Sequence, residues 1–404
     1  MQYSTFAAID IGSYDVILEI FEISKKQGIR SVDKICHRME LGKDTYTLGK
    51  IRPEMEEELC RVLADFVRIM EGYRVDAYRA MASSAISEAA NSLYVLGKIR
   101  QLTGLSVTVL SNSEQRFLGY KALAAMEDNF NKIIEKGTAI LDLDGGSFQI
   151  SLFDKDALVT TQNIRMGSLR IRERLAGIQS ETEHYEEMVE ELIWNEVSSF
   201  KKMYLKDRKI ENIMLIGDVF TDSVYQNIEE KTTKIISREN FNTWYEKIIR
   251  QSPMELAVKL GIPLENASLM YPSAVIYKCL IDMMGAEHIW IPGVHMTRGI
   301  AYEYAEQMKL LKGGHNFEND ILMAAKNIGK RYAVNRPHVQ NLEMTALAMF
   351  DATKKMHGMK ERERLLLQMA VMLHDVGKLC VKNAILTKDV SLTPEEKENM
   401  SQHT

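Results

Sequence analysis

Two runs in this chain close an apolar stretch on an acidic residue and follow it with glycine and serine: Asp10-Ile11-Gly12-Ser13 and Asp142-Leu143-Asp144-Gly145-Gly146-Ser147. A strand that ends on Asp and turns sharply through Gly and Ser points successive backbone N–H groups outward, which makes a nest for an anion. The carboxylate at the strand end can hold a hydrated divalent cation, because Mg2+ sites use one or two carboxylates and keep several waters. Two such loops facing one another would clamp a phosphate chain. Gly12, Ser13, Gly145, Gly146 and Ser147 would then cradle phosphate oxygens, with Mg2+ on Asp10 and Asp142. Either loop alone also fits a plain hairpin turn, where Asp and Gly serve conformation only.

Three further groups carry chemistry. Arg298, in Thr297-Arg298-Gly299 just after a strand and turn, suits bidentate phosphate contacts, and a surface ion pair is its plainer use. Ser111-Asn112-Ser113-Glu114-Gln115 fits either the site or a helix N-cap with Glu114 in the capping position. In Leu373-His374-Asp375-Val376-Gly377-Lys378 a histidine stands beside an aspartate at the end of an apolar helix. Such a pair can face one metal, the carboxylate bridging to a second. His338 opens the preceding helix and His403 lies one helix later.

The elements that must position these groups are partly legible. Phe6 to Asp10 and Val16 to Phe21 read as a hairpin through a Gly-containing turn. From Pro53 to Glu71 the apolar residues Met55, Leu59, Val62, Leu63, Phe66 and Ile69 recur at helical spacing. A strand over 77–81, a helix near 87–102 and a strand over 107–110 then alternate, the mark of an α/β layer structure. The device repeats in strands over 138–142 and 148–153, a helix near 182–203, and strands around Ile213 to Ile216 and His288 to Ile291. Glycines at 313 and 314 break the pattern, and beyond them the periodicity is wholly helical, with Leu342, Thr345, Ala346, Met349, Ala352 and Met356 on one face. This predicts domains over 1–125, 126–310 and 315–404, the last still running where the sequence stops.

Composition narrows the classes. With 51 basic and 56 acidic residues the formal charge is −5, so no bulk field argues for nucleic acid or a membrane surface. Cys36, Cys60, Cys279 and Cys380 stand far apart among apolar neighbours and read as reduced, buried thiols of a cytoplasmic protein. No basic segment precedes the first apolar run, which excludes a typical signal peptide, and no apolar run is long enough to span a bilayer. The sequence is silent on oligomeric state, with a homodimer among the options.

The two Asp-Gly loops, Ser111 to Gln115, Met166-Gly167-Ser168 and Thr297-Arg298-Gly299 fall in the order and spacing of the exopolyphosphatase and guanosine-pentaphosphate phosphatase (Ppx/GppA) family. The chain resembles that family over about three-quarters of its length. The resemblance implies two ribonuclease-H-like lobes of the actin, Hsp70 and sugar-kinase type around a cleft, and Mg2+-dependent release of terminal phosphate from polyphosphate or pppGpp. It places catalysis on Glu114, Gln115 and Asp142. The family pattern has two consecutive glutamates, the second activating the attacking water; here they read Glu114-Gln115, and a neutral amide cannot take that proton. Further departures are Tyr14-Asp15 after the first loop, Ser87 where an arginine is usual, Asp144 at the second loop's first glycine and Gln149 at its glutamate. Either Glu114 orients the water, or the cleft is a weakened polyphosphate or nucleotide sensor coupled to the helical domain. A sugar or acid kinase is disfavoured because Gly217-Asp218-Val219-Phe220 lacks the second glycine of an adenosine turn. From His338 to His403 the chain also resembles the HD superfamily of metal-dependent phosphohydrolases, its HD-GYP branch above all. That likeness implies a divalent metal on His338, His374, Asp375 and His403, in a site whose remaining ligands would follow the last residue.

Overall fold

Strand β1 (Ser4–Ile11) carries apolar side chains on both faces. Because side chains alternate along a strand, Ala7, Ile9 and Ile11 enter one core while Phe6 and Ala8 enter another, and Asp10 continues the second row. A strand buried on both faces needs helices above and below it. The helices Pro53–Gly72 and Ser92–Thr103 cover the first face. Asn112–Met126 and Met296–Gln307 cover the second, where Phe6 stacks on Tyr304 with ring centroids 4.2 Å apart.

This computed structural model describes residues 3–126, 130–176, 185–227, 235–311, 315, 317–332, 335–386 and 388–401. The remaining strands are β2 (Asp15–Ser24), β3 (Gly28–Arg38), β4 (Ala77–Ala82), β5 (Val107–Val109), β6 (Thr138–Leu143), β7 (Phe148–Asp154), β8 (Ala157–Ile164), β9 (Asn212–Ile216), β10 (Ile235–Ser237) and β11 (His288–Trp290). They form two sheets, ordered β3-β2-β1-β4-β5 and β10-β11-β9-β6-β7-β8. In the first, β1 pairs antiparallel with β2 and parallel with β4; in the second, β6 pairs antiparallel with β7 and parallel with β9. The two lobes therefore share one wiring, and β1 and β6 hold equivalent central places. The expected strands appear within about three residues, while β3, β8 and β10 lie outside the sequence reading.

The chain divides into two compact units, residues 1–156 with 161–315, and residues 157–160 with 316–404. Both sheets' central strands belong to the first. The second is helical, built on Phe317–Arg331, Arg336–His357 and Glu361–Leu373, with Phe350, Val371 and Met372 buried. Among the described residues no helix is long and apolar enough to cross a membrane. The expectation of four buried thiols is corrected: Cys60 is buried and Cys279 partly so, but Cys36 and Cys380 are exposed. Cys36 lies on β3, whose alternate side chains face solvent.

Candidate active site

Equivalent strands deliver equivalent acids. Asp10 lies opposite Ile17 of β2 and Met81 of β4, one residue before β1 ends, and Asp142 lies opposite Gln149 of β7 and Ile216 of β9, one residue before β6 ends. Both acids thus sit at the carboxyl ends of parallel strands, where open α/β sheets collect ligands. The loops that follow meet directly. Ser13 Oγ donates to Asp144 Oδ2 at 3.4 Å and lies 2.8 Å from the Tyr46 hydroxyl, which is 2.8 Å from Ser84 Oγ. A side chain at Gly145 would begin 3.0 Å from the Ser13 Cβ. At Gly217, φ is 103° and a Cβ would lie 2.6 Å from Asp142 Oδ1, so only glycine lets the turn after β9 pass this carboxylate.

A cavity of about 250 Å3 opens at this junction. Asp10, Asp15, Asp142, Asp144 and Asp222 line it, with Gln115, Ser83 and the Gly217 turn; Lys34, Cys36 and Arg38 enter from β3, and His295 from the start of the helix Met296–Gln307. Successive β3 positions alternate faces, so 34, 36 and 38 point the same way. Arg38 Nη1 lies 3.0 Å from Asp15 Oδ2, and His295 Nε2 lies 3.5 Å from Asp222 Oδ1. Acidic and cationic groups thus share the lining, which suits a metal-bound polyanion.

The acidic groups are electrostatically strained. Burial, then the Asp15, Asp144 and Asp142 carboxylates, hold Asp10 well above the usual carboxylate range. Burial and Asp144 push Asp142 up to about 7, with Arg116 opposing. Burial lifts Asp15 to about 6 against the pull of Arg38. Burial also raises Asp144, opposed by hydrogen bonds from the Gly145 amide and Ser13. Like charges gathered in a desolvated pocket are relieved by a cation. The donor set is all oxygen, as Mg2+ requires. No three of these carboxylates bring oxygens within 4.8 Å of one another, so direct ligation would be sparse and completed by water.

The predicted site residues fall in three groups. Asp10, Gly12, Gln115 and Asp142 line the cavity. Ser13, Gly145, Gly146 and Ser147 lie at the loop junction beside it rather than on its wall. The expected amide cradle has two of its N–H groups engaged within the chain: Gly12 N donates to Asp15 O at 2.9 Å and Gly145 N to Asp144 Oδ1 at 2.6 Å. Gly146 is packed beneath Tyr46 and Ser84, where a Cβ would collide. Glu114 and Arg298 stand outside the cavity. Glu114 caps its own helix, accepting from Ser111 N at 2.9 Å and Ser111 Oγ at 2.8 Å, which also lowers its pKa. Arg298 reaches the Ile29 carbonyl at 3.4 Å instead of a phosphate position. The sequence reading missed Lys34, Arg38, Asp222 and His295. The β3 pair had only a polar alternation to announce it, and His295 stood three residues before the singled-out Arg298.

In the helical unit, His338, His374 and Asp375 bring ligand atoms within 4.8 Å of one another. His374 Nδ1 lies 2.7 Å from the Val371 carbonyl, so this nitrogen carries the proton and Nε2, 3.3 Å from Asp375 Oδ1, is left to coordinate. Lys378 Nζ also holds Asp375 Oδ1, at 2.8 Å. His403 lies outside the described residues.

Comparison with known proteins agrees with this geometry. The model of the Ppx/GppA phosphatase family matches residues 20–308. A bifunctional 3-dehydroquinate synthase/phosphatase of Fusobacterium nucleatum is 21% identical over 310 residues, covering 70% of this chain and 44% of that protein. A guanosine-5'-triphosphate,3'-diphosphate pyrophosphatase of Photobacterium profundum is 19% identical over 378 residues, covering 92% of this chain and 72% of that protein. The crystal structure of an exopolyphosphatase from Cytophaga hutchinsonii superposes with a TM-score of 0.67 at 17% identity, over 76% of this chain and all of the other. The fold is therefore the actin-like, two-lobed fold of that structure.

Proposed function

Because the chain belongs to the Ppx/GppA phosphatase family, we propose that it is a phosphohydrolase releasing terminal phosphate from polyphosphate or pppGpp with Mg2+. One observation carries the reading: the ends of β1 and β6 bring Asp10 and Asp142 into one cavity that Lys34 and Arg38 also line. Mg2+ on Asp10 and Asp142 would neutralise the terminal phosphates, the chemistry that the metal supplies when bound. Lys34 and Arg38 would hold the phosphates that follow. Phosphoryl transfer asks little covalent chemistry of a protein, so positioning and charge neutralisation carry most of the rate. Phosphate release from long-chain polyphosphate and from pppGpp, each with Mg2+ and with EDTA, tests the proposal. Mg2+-dependent release from either substrate is expected, and none from both refutes it.

A second reading, a phosphate sensor with little turnover, draws on Gln115, Gln149 and the two loop amides already engaged within the chain. Its signature is Mg2+-dependent binding by calorimetry with no phosphate release. For the helical unit, the converging His338, His374 and Asp375 support an HD-type divalent-metal site, which metal analysis of the wild type against His374→Ala would detect.

A further inference from the structure

A second cavity, of about 370 Å3, adjoins the one just described and shares the wall residues Tyr14, Arg38 and Asn266 with it. A substrate held by its terminal phosphates in the first has its remaining length beside the second. Asn266 marks the junction. It stands in the first turn of the helix Leu264–Met284 and is only 4% exposed, yet its side-chain amide makes no hydrogen bond among the described residues. Buried polar side chains are nearly always bonded, so an amide left open at a cavity wall calls for a ligand that offers both a donor and an acceptor. The hydroxyl of Tyr14, itself 9% exposed, is likewise unbonded among the described residues.

The rest of the second cavity narrows the ligand. Met39, Pro263 and Leu269 give it apolar surface. Its cation, Arg38, lies 3.0 Å from Asp15, and its Glu40 is forked by Arg172 at 2.7 and 2.8 Å. Glu265 keeps an exposed carboxylate with no ion pair or hydrogen bond among the described residues. A further run of phosphates would meet that negative charge. A flat, uncharged heterocycle meets apolar surface and the Tyr14 ring on its faces, and neighbouring N–H donors on its edge would find an acceptor-only carboxylate. Guanine carries such a pair of donors, with an acceptor next to them for the Asn266 amide. We propose that the second cavity is a guanine-binding subsite read by Glu265 and Asn266, so that the substrate is a guanosine polyphosphate rather than inorganic polyphosphate. The inference rests on the phosphohydrolase reading above and chooses between its two substrates. Both residues set specificity and touch no reacting atom.

The test uses probes that do not turn over. Calorimetry with Mg2+ compares GTP carrying an imido bridge between its last two phosphates, the inosine counterpart without the 2-amino group, and inorganic imidotriphosphate, which has the phosphates alone. The guanosine analogue is expected to bind at least tenfold tighter than imidotriphosphate, with the inosine analogue between them. Glu265→Gln, at an exposed position, is expected to weaken the guanosine analogue about tenfold to a hundredfold, the usual worth of a hydrogen bond to a charged group. The same variant is expected to bind imidotriphosphate no more weakly than wild type, because it removes a negative charge. Asn266→Ala is expected to lose guanosine affinity selectively, with thermal melting checking its fold; a merely structural Asn266 would lower affinity for all three ligands alike. Equal wild-type affinity for the guanosine analogue and imidotriphosphate, or a Glu265→Gln variant that weakens all three ligands equally, overturns the subsite, while phosphate release from long-chain polyphosphate would still uphold the phosphohydrolase reading. A guanosine preference without phosphate release from pppGpp or polyphosphate supports the subsite and refutes that reading instead.

Discussion

Glu114 and Gln115 are neighbours in sequence but lie about 100° apart around their helix, so their side chains leave it in different directions. Gln115 lines the cavity, and Glu114 turns back onto Ser111. The capping alternative was visible in the spacing of Ser111 and Glu114. The direction of Gln115 was not, because the helix Asn112–Met126 packs apolar residues on several sides and its apolar pattern does not single out one inward face. The consequence is specific. Glu114→Ala should lower stability by about 0.5–2 kcal/mol, as loss of a helix cap does, while phosphate release per folded molecule stays within a fewfold. Urea unfolding together with a steady-state assay separates the two, and a large loss of kcat with unchanged stability would return Glu114 to the chemistry.

At the scale of elements, β1 and β6 were readable because an apolar run ending in Asp, Gly and Ser is a strong local pattern. β3 was not, because it is an edge strand with no fully buried side chain, and hydrophobic alternation is the signal such a strand lacks. It nevertheless supplies the cavity's cations. Strand ends also set the pH response. Asp142 and Asp218 both rise to about 7, the first by burial and Asp144, the second by burial against the hydrogen bond from the Thr221 amide. In the unfolded chain both would titrate near 4. The folded state therefore binds more protons between these values, and stability falls as pH rises from about 4 to about 7, then levels off. Metal-free protein should melt at progressively lower temperature across that window. Asp218→Asn should flatten the fall, since an amide can still accept from Thr221 N at the start of the helix Val219–Asn227. Calorimetric melting at several pH values checks this, and a melting temperature that rises with pH would contradict it.

At the scale of the molecule, the duplicated wiring of the two sheets produces two lobes that several contacts join, among them Arg79 Nη1 with Glu303 at 2.9 Å and Thr297 with Glu19. The helix Ser168–Leu175, which follows β8, adds a further tie. Arg170 stacks over Tyr46 at 3.9 Å, donates to the Gly146 carbonyl at 2.8 Å and lies 3.0 Å from Glu88. Arg172 makes a fork onto Glu40, Nη1 to Oε1 at 2.7 Å and Nη2 to Oε2 at 2.8 Å, and also reaches Ser268 at 2.8 Å. Glu40, Tyr46 and Glu88 come from the segments around the first sheet, so these two arginines tie the lobes together on one side of the cavity. Removing one partner of a well-buried pair costs about 3–5 kcal/mol, but this pair keeps some solvent exposure, and about 1–3 kcal/mol is the fitting expectation for Arg172→Ala. The distinguishing effect is local. Amide exchange in Ser168–Leu175 should quicken more than in β1 or β6, and KM for polyphosphate should rise while the double variant Arg172→Ala/Glu40→Ala regains part of the stability, because it no longer leaves Glu40 uncompensated. If exchange instead quickened evenly across both sheets, Arg172 would be an ordinary contributor to stability and the lobes would owe their spacing to their other contacts.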